Sequence, residues 1–169
     1  MKSTISQYIK VKKSKIHCTG VFAKKNIPKG TKIIEYVGKK LTKKQSDKAA
    51  DRDITRNKKN KKNGAVYIFE LNKKYDIDGN VPYNTAKLIN HSCNPNCEAD
   101  IIKNHIWIIA LKNIKKGEEI SYDYSYEFDI EDLEDHPCRC GAKNCDGYIV
   151  DRNEWPKMYK ALKKAKKKK

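Results

Sequence analysis

Cys138, Cys140 and Cys145 follow the order C-x-C-x4-C, with Gly141 at the turn between them. Three thiolates this close on a short loop can converge on one ion. A zinc ion takes four ligands in a tetrahedron, and an all-sulfur site is structural, not catalytic. A fourth ligand must come from elsewhere in the chain. Cys93, Cys97, Cys18 and a histidine are the candidates. The alternative, three unrelated thiols, does not account for the compact spacing. A second concentration of chemistry lies at Ile89-Asn90-His91-Ser92-Cys93-Asn94-Pro95-Asn96-Cys97. A neighbouring Cys and His could act as nucleophile and base, or form a satisfied polar turn. The third is aromatic: Tyr67 in Val66-Tyr67-Ile68-Phe69, and Tyr122 and Tyr124 in the run Glu118–Tyr124. Taken singly, each is equally well an ordinary core residue of a strand.

The elements that must hold these residues are mostly short strands. Val21-Phe22-Ala23 and Ile33–Val37 flank a Pro28-Lys29-Gly30 turn. Residues 65–71, 75–78, 106–111 and 120–126 are further extended candidates, with Gly79-Asn80 and Lys115–Glu118 as turns. Thr42-Lys43-Lys44-Gln45 has the spacing of a capping box and predicts one short helix over about 43–52. Residues 81–97 read as irregular and Arg56–Gly64 as a solvated Lys/Asn loop. Residues 129–135 form a dense acidic block. Residues 157–169 are Lys-dense without an acid; Met158, Leu162 and Ala165 predict a helical start that frays into the lysine run. The class is mainly β with long irregular connections.

The segments in order support a resemblance. KLINHSCNPNC at 87–97 resembles the Asn-His-Ser-Cys-x-Pro-Asn motif of SET-domain protein lysine methyltransferases. EEISYDY at 118–124 resembles that family's second signature, and CRCGAKNCDGYI at 138–149 its zinc-binding post-SET segment. IHCTGVFA at 16–23 and Glu35-Tyr36-Val37-Gly38 are similar to its first motifs. Motifs in order over residues 10–150 are far more specific than any one of them. The resemblance implies short curved sheets, a pseudoknot-like C-terminal region, one inserted helix and a zinc-bound post-SET loop. It implies a SET domain over 1–128, an acidic linker and zinc segment over 129–150, and a Lys-rich tail over 151–169.

The same resemblance implies methyl transfer from S-adenosylmethionine to a lysine amine, giving mono- or dimethyllysine. Tyr124 matches the catalytic tyrosine, and Tyr122 the position that limits how many methyl groups fit. Tyr67 matches a channel residue that also touches cofactor. Asn90 and His91 match the cofactor-binding pair, with His17, Cys18 and Thr19 lining the cleft and Arg139 reaching it from the zinc loop. Cys93 matches the fourth zinc ligand beside Cys138, Cys140 and Cys145, which leaves Cys97 as a small buried side chain. Two positions depart from the pattern. Cys18 replaces a glycine, adding a Cβ where backbone passes close to cofactor. Lys87-Leu88 stands for Arg-Phe, keeping charge without the planar fork.

Charge bears on partners. The chain of 169 residues holds 38 Lys and Arg against 21 Asp and Glu, a formal net charge of +17. Such a chain is drawn to polyanions. DNA contact through the Lys-rich loop and tail is therefore expected. By the resemblance the substrate is a basic protein, a histone H3 or H4 tail or a nucleosome, and the acidic block is expected to receive it. A non-histone basic substrate, or a degenerate module that only binds chromatin, are the competing readings. No signal-peptide pattern opens the sequence, and Ile106–Leu111 is too short to span a bilayer. A soluble intracellular protein at the nucleus or at chromatin, its own or a host's, is the expectation, with cysteines reduced rather than cross-linked.

Overall fold

The computed structural model describes residues 4–59, 66–130, 133 and 136–166. Among them are ten strands: β1 (Ile9–Lys13), β2 (Thr19–Ala23), β3 (Lys32–Tyr36), β4 (Lys39–Thr42), β5 (Ile68–Glu70), β6 (Tyr75–Asp78), β7 (Asn90–His91), β8 (Cys97–Ile102), β9 (His105–Ala110) and β10 (Glu119–Tyr122). Two helices accompany them, α1 (Lys43–Lys59) and α2 (Trp155–Lys166). The strands form three small sheets, β1-β2-β10-β7, β3-β9-β8 and β4-β6-β5. The protein is mainly β, as its short apolar runs predict.

One core serves all three sheets. Val21, Ala23, Ile33, Ile34, Tyr36, Ile89, Cys97, Ile106, Ile108, Ile120 and Tyr122 pack together, and Ile108 and Ile120 are fully buried. The alternation of β9, with Ile106, Ile108 and Ala110 buried, points one face inward while its backbone pairs with β3 and β8. Strand β10 is central to the site. It lies between β2, to which it is antiparallel, and the two-residue β7, to which it is parallel. The pairing sets Ser121 beside Asn90 and Tyr122 beside His91. The buried Asn96 amide completes the arrangement, donating to the Glu119 carbonyl at 2.8 Å and accepting from the Ser121 N–H at 2.9 Å. A side chain thus satisfies backbone groups that no strand reaches.

Several boundaries differ from the sequence expectation. α1 runs to Lys59, not to about 52. Its start is as expected: the Gln45 side chain accepts from the Thr42 N–H at 2.9 Å. No Pro or Gly interrupts the polar run until Gly64, so nothing in the sequence stops the helix at 52. The helix is held by Ser46 and Lys43, which both bond Asp76 on β6, with Lys43 Nζ at 2.6 Å from the carboxylate. Only Ile68–Glu70 of the 65–71 run forms strand, and the extended run 120–126 leaves the sheet after Tyr122. β1, β4 and β8 were not expected, since lysines on β1 and β4 and acids on β8 mask the alternation.

A second, smaller core forms near the C-terminus. Leu133, Val150 and the fully buried Met158 pack with Phe128, Tyr148, Trp155 and Leu162. The helical start expected at Met158 is therefore docked through that residue. Residues 56–59, expected as loop, belong to α1; Glu131, Asp132, Glu134 and Asp135 of the acidic block, the 60–64 part of the Lys-rich loop and the last three lysines lie outside the described residues. Among the described residues, no helix is long and apolar enough to cross a membrane.

Candidate functional site

Strands β7 and β10 bring the Asn-His segment and the Tyr-Asp-Tyr segment side by side. The Tyr124 N–H donates to His91 Nδ1 at 3.2 Å. An accepting Nδ1 leaves the ring proton on Nε2, which lies 3.4 Å from Cys93 Sγ. Burial pushes the His91 pKa down, against the opposing pull of Asp123, so the ring is neutral near pH 7. The Tyr124 hydroxyl donates to the Ile89 carbonyl at 2.8 Å. Burial, then the neighbouring Tyr126 and Tyr67, push its pKa well above the ordinary value, so it stays a phenol. Its donor is used within the protein, and its oxygen keeps the capacity to accept a hydrogen bond.

Around Tyr124 is an aromatic pocket lined by Tyr36, Tyr67, Phe69, Tyr122, Tyr126 and Lys87, among others. The rings follow one another: Tyr36 and Phe69 have centroids 5.5 Å apart, Tyr122 and Tyr124 5.0 Å, Tyr124 and Tyr126 5.7 Å. Tyr36 is fixed by donating to the Tyr67 carbonyl at 2.8 Å. Gly79 is needed here, because a Cβ at that position would strike the Tyr36 ring. Such a pocket, walled by rigid rings, is suited to an aliphatic stem with an amine at its end. Tyr67, Tyr122 and Tyr124 all lie in it, so the structure brings together the three tyrosines singled out in the sequence. Tyr36, Phe69, Tyr126 and Lys87 complete the lining without having been assigned to it.

Next to the pocket, Asn90 ties three segments together. Its amide donates to the Glu119 carboxylate at 2.8 Å and to the Thr19 carbonyl at 3.2 Å. Glu119 also accepts from the Ser14 hydroxyl at 2.7 Å. The loop carrying His17, Cys18 and Thr19 is thereby held against β7, with His17 and Cys18 exposed. Cys18 sits at φ +33°, a region that favours glycine, in line with the glycine expected from the resemblance. The open loop edge, the polar Asn90–His91 pair and the Glu119 carboxylate beside it suit a polar ligand carrying positive charge. Glu119 and Ser14 were not found by sequence reasoning. Glu119 lies inside a recognised motif, but its partners are far off in the chain.

The sulfurs of Cys93, Cys138, Cys140 and Cys145 all lie within 4.8 Å of one another. Of the four possible fourth members, the structure selects Cys93. Cys18 is exposed elsewhere, and Cys97 is fully buried, its thiol pushed up to about 12 by burial. The Cys93 and Cys138 sulfurs are 3.7 Å apart. A zinc tetrahedron with ~2.3 Å Zn–S bonds has sulfur–sulfur edges of about 3.8 Å. Burial pushes Cys138 up to about 12; it acts the same way on Cys140, but N–H groups of Cys93 and Ala142 hold that thiol down to about 7. One buried and three half-buried sulfurs gathered this closely fit a soft divalent cation. The Cys93 carbonyl accepts from Arg152 at 2.6 Å and from the Asn144 amide at 3.1 Å. Arg139 is exposed on the same loop. No sequence signal marked Arg152, which also stacks on Trp155.

Comparison with known proteins agrees with this geometry. The SET domain family model matches residues 19–125. The chain is 40% identical over 159 residues to histone-lysine N-methyltransferase trr of Drosophila melanogaster, covering 85% of this chain and 6% of that protein. It is 34% identical over 153 residues to histone-lysine N-methyltransferase trithorax of Drosophila virilis, covering 88% of this chain and 4% of that one. A histone-lysine N-methyltransferase of Chaetomium globosum, described as H3 lysine-4 specific, is 36% identical over 145 residues, with 83% and 13% covered. The chain belongs to the SET domain family. It spans only a small fraction of the length of these relatives.

Proposed function

We propose that the chain is an S-adenosylmethionine-dependent protein lysine N-methyltransferase acting on a histone tail, H3 before H4, and yielding mono- or dimethyllysine. The observation that carries this reading is the Tyr124 hydroxyl, anchored on Ile89 and facing an aromatic pocket that adjoins the Asn90–His91 pair. The relatives' names support the choice of a histone, and that of the Chaetomium globosum relative supports H3. S-Adenosylmethionine, when bound, supplies an electrophilic methyl group. Asn90, His91, His17, Cys18 and Thr19 would hold it, with Tyr67 and Arg139 at its margins. A free lysine has a pKa near 10.4, so presenting the neutral amine at pH 7 costs about 4–5 kcal/mol. The apolar walls of the pocket disfavour the ammonium form. Lys87, half-buried in the lining with its ammonium 5.7 Å from the Tyr67 ring centroid, adds like charge in the same direction. Tyr124 accepts from the neutral amine and aligns it. Tyr122, buried beside it, narrows the space left for added methyl groups.

Cys93, Cys138, Cys140 and Cys145 would hold one structural zinc, tying the C-terminal segment to the turn after His91. A nuclear or chromatin location follows from the substrate class. Asp129 and its acidic neighbours remain candidates to receive a basic peptide. The test is Tyr124→Phe. Cofactor affinity should stay within a few-fold of wild type while methyl transfer falls by about 100-fold or more. Transfer at the wild-type rate in this variant would overturn the assignment.

A further inference from the structure

The sheet β1-β2-β10-β7 has one face in the core and one toward solvent. Val21, Ala23 and Ile120 take the inner face and are fully buried. The register sets Lys10 opposite Phe22 and Lys12 opposite Gly20, so these side chains share the outer face. The Lys24 N–H donates to the Tyr8 carbonyl at 2.7 Å, which extends the pairing and adds Lys24 to that face, while the Tyr8 ring packs against the core. The turn after β9 closes over the end of β2. Its Gly117 N–H donates to the Ala23 carbonyl at 2.9 Å and its Lys116 N–H to the Asn26 side chain at 2.8 Å. Lys12, Lys24 and Lys116 are exposed and Lys10 half-exposed. Lys12, then Lys116 and Lys24, push the Lys10 pKa below its ordinary value. Glu119, the acid on this face, is engaged by Ser14 and Asn90; Glu118 is exposed in the turn.

We propose that this outer face, built from Lys10, Lys12, Lys24 and Lys116 around the ring of Phe22, is a binding surface for the phosphate backbone of double-stranded DNA. Four ammonium groups from three chain segments repel one another in the free protein. A polyanion converts that repulsion into attraction and releases its own counterions. The rings are not open for stacking. Lys12 lies over Phe22 at 5.3 Å and Lys25 over Tyr8 at 4.6 Å, so both carry ammonium groups on their faces. The surface therefore presents charge and not base-stacking platforms, which favours a duplex over a single strand. Lys10 and Lys12 are two residues apart on one strand, so their stems leave the same face of the sheet about 6.8 Å apart and can reach one stretch of backbone together. Lysines act as point charges here, so the contact is independent of sequence. The residues of this face belong to neither the Lys-rich loop nor the tail, and its binding does not depend on methyl transfer.

The test uses the full chain, a labelled 20-base-pair duplex and salt between about 50 and 300 mM. The variant Lys10→Gln/Lys12→Gln/Lys24→Gln/Lys116→Gln keeps a polar, uncharged side chain at each position and relieves repulsion. Its control, Lys39→Gln/Lys73→Gln/Lys74→Gln/Lys103→Gln, removes the same charge from exposed positions on other elements. Circular dichroism confirms that both are folded. The slope of log affinity against log salt should fall by about three to four in the first variant and by less than one in the control. Equal losses in both would mean that net charge alone governs binding and would overturn the proposal. So would tighter binding of the single strand of the same sequence, or an unchanged slope in the first variant.

Discussion

Asn90, His91 and Cys93 occupy alternate chemical roles within four positions, and the backbone decides which is which. Asn90 faces the 17–19 loop, His91 accepts from Tyr124, and Cys93 joins the cysteine cluster. The His91 Nε2 proton directed at Cys93 Sγ links the pocket to the cluster through one ring. Cys140→Ser should therefore lower both zinc content and methyl transfer, whereas Cys97→Ala should leave zinc content unchanged. Metal analysis of the purified variants checks this, and full activity in a zinc-free Cys140→Ser protein would contradict it. Because Tyr124 remains a phenol well above neutrality, the rate should rise with pH from 7 to about 9.5 as the substrate amine loses its proton. A single-turnover pH profile with a falling limb in that range would contradict this. At this scale the sequence was informative where motifs are local. C-x-C-x4-C, Asn90-His91 and Tyr122/Tyr124 could be recognised before folding. Glu119, Ser14 and Arg152 could not, since each acts on a group far away in the chain.

Elements hold the site through a few side chains that stand in for missing backbone partners. Asn96 bonds both the Glu119 carbonyl and the Ser121 N–H of β10. Asn96→Ala would leave two buried backbone groups unsatisfied, at a cost of about 2–4 kcal/mol, measurable by urea unfolding. Gly79→Ala should be similarly harmful, because the Cβ drives into the Tyr36 ring that walls the pocket. Methyl transfer should fall in that variant even where the fold survives. Met158→Ala should cost about 2 kcal/mol or more by emptying the small C-terminal core, and should speed proteolysis around α2. Strand positions were legible where apolar, β-branched residues run together, as in β9 and β3. They were hidden where one face is lysine, as in β1, or where the strand is two residues long, as in β7. The length of α1 was hidden for another reason: a polar run without Gly or Pro states where a helix can continue, not where it ends.

The whole molecule combines a strong positive charge with a chemistry that, as proposed, addresses a positively charged substrate. The excess of 38 basic over 21 acidic residues favours polyanions, and the β1–β2 face concentrates part of that excess in one place. Composition alone announced the charge but not its location, because Lys10, Lys12, Lys24 and Lys116 meet only through sheet pairing and turn closure. A chromatin substrate reconciles the two demands, offering DNA to the lysines and a histone tail to the aromatic pocket. The most direct test incubates the intact chain with S-adenosylmethionine and recombinant histones or nucleosomes and maps the products by mass spectrometry. The account predicts one or two methyl groups on a lysine of a histone tail. A chain that binds the cofactor yet leaves every lysine unmodified, or that methylates a residue other than lysine, would contradict it.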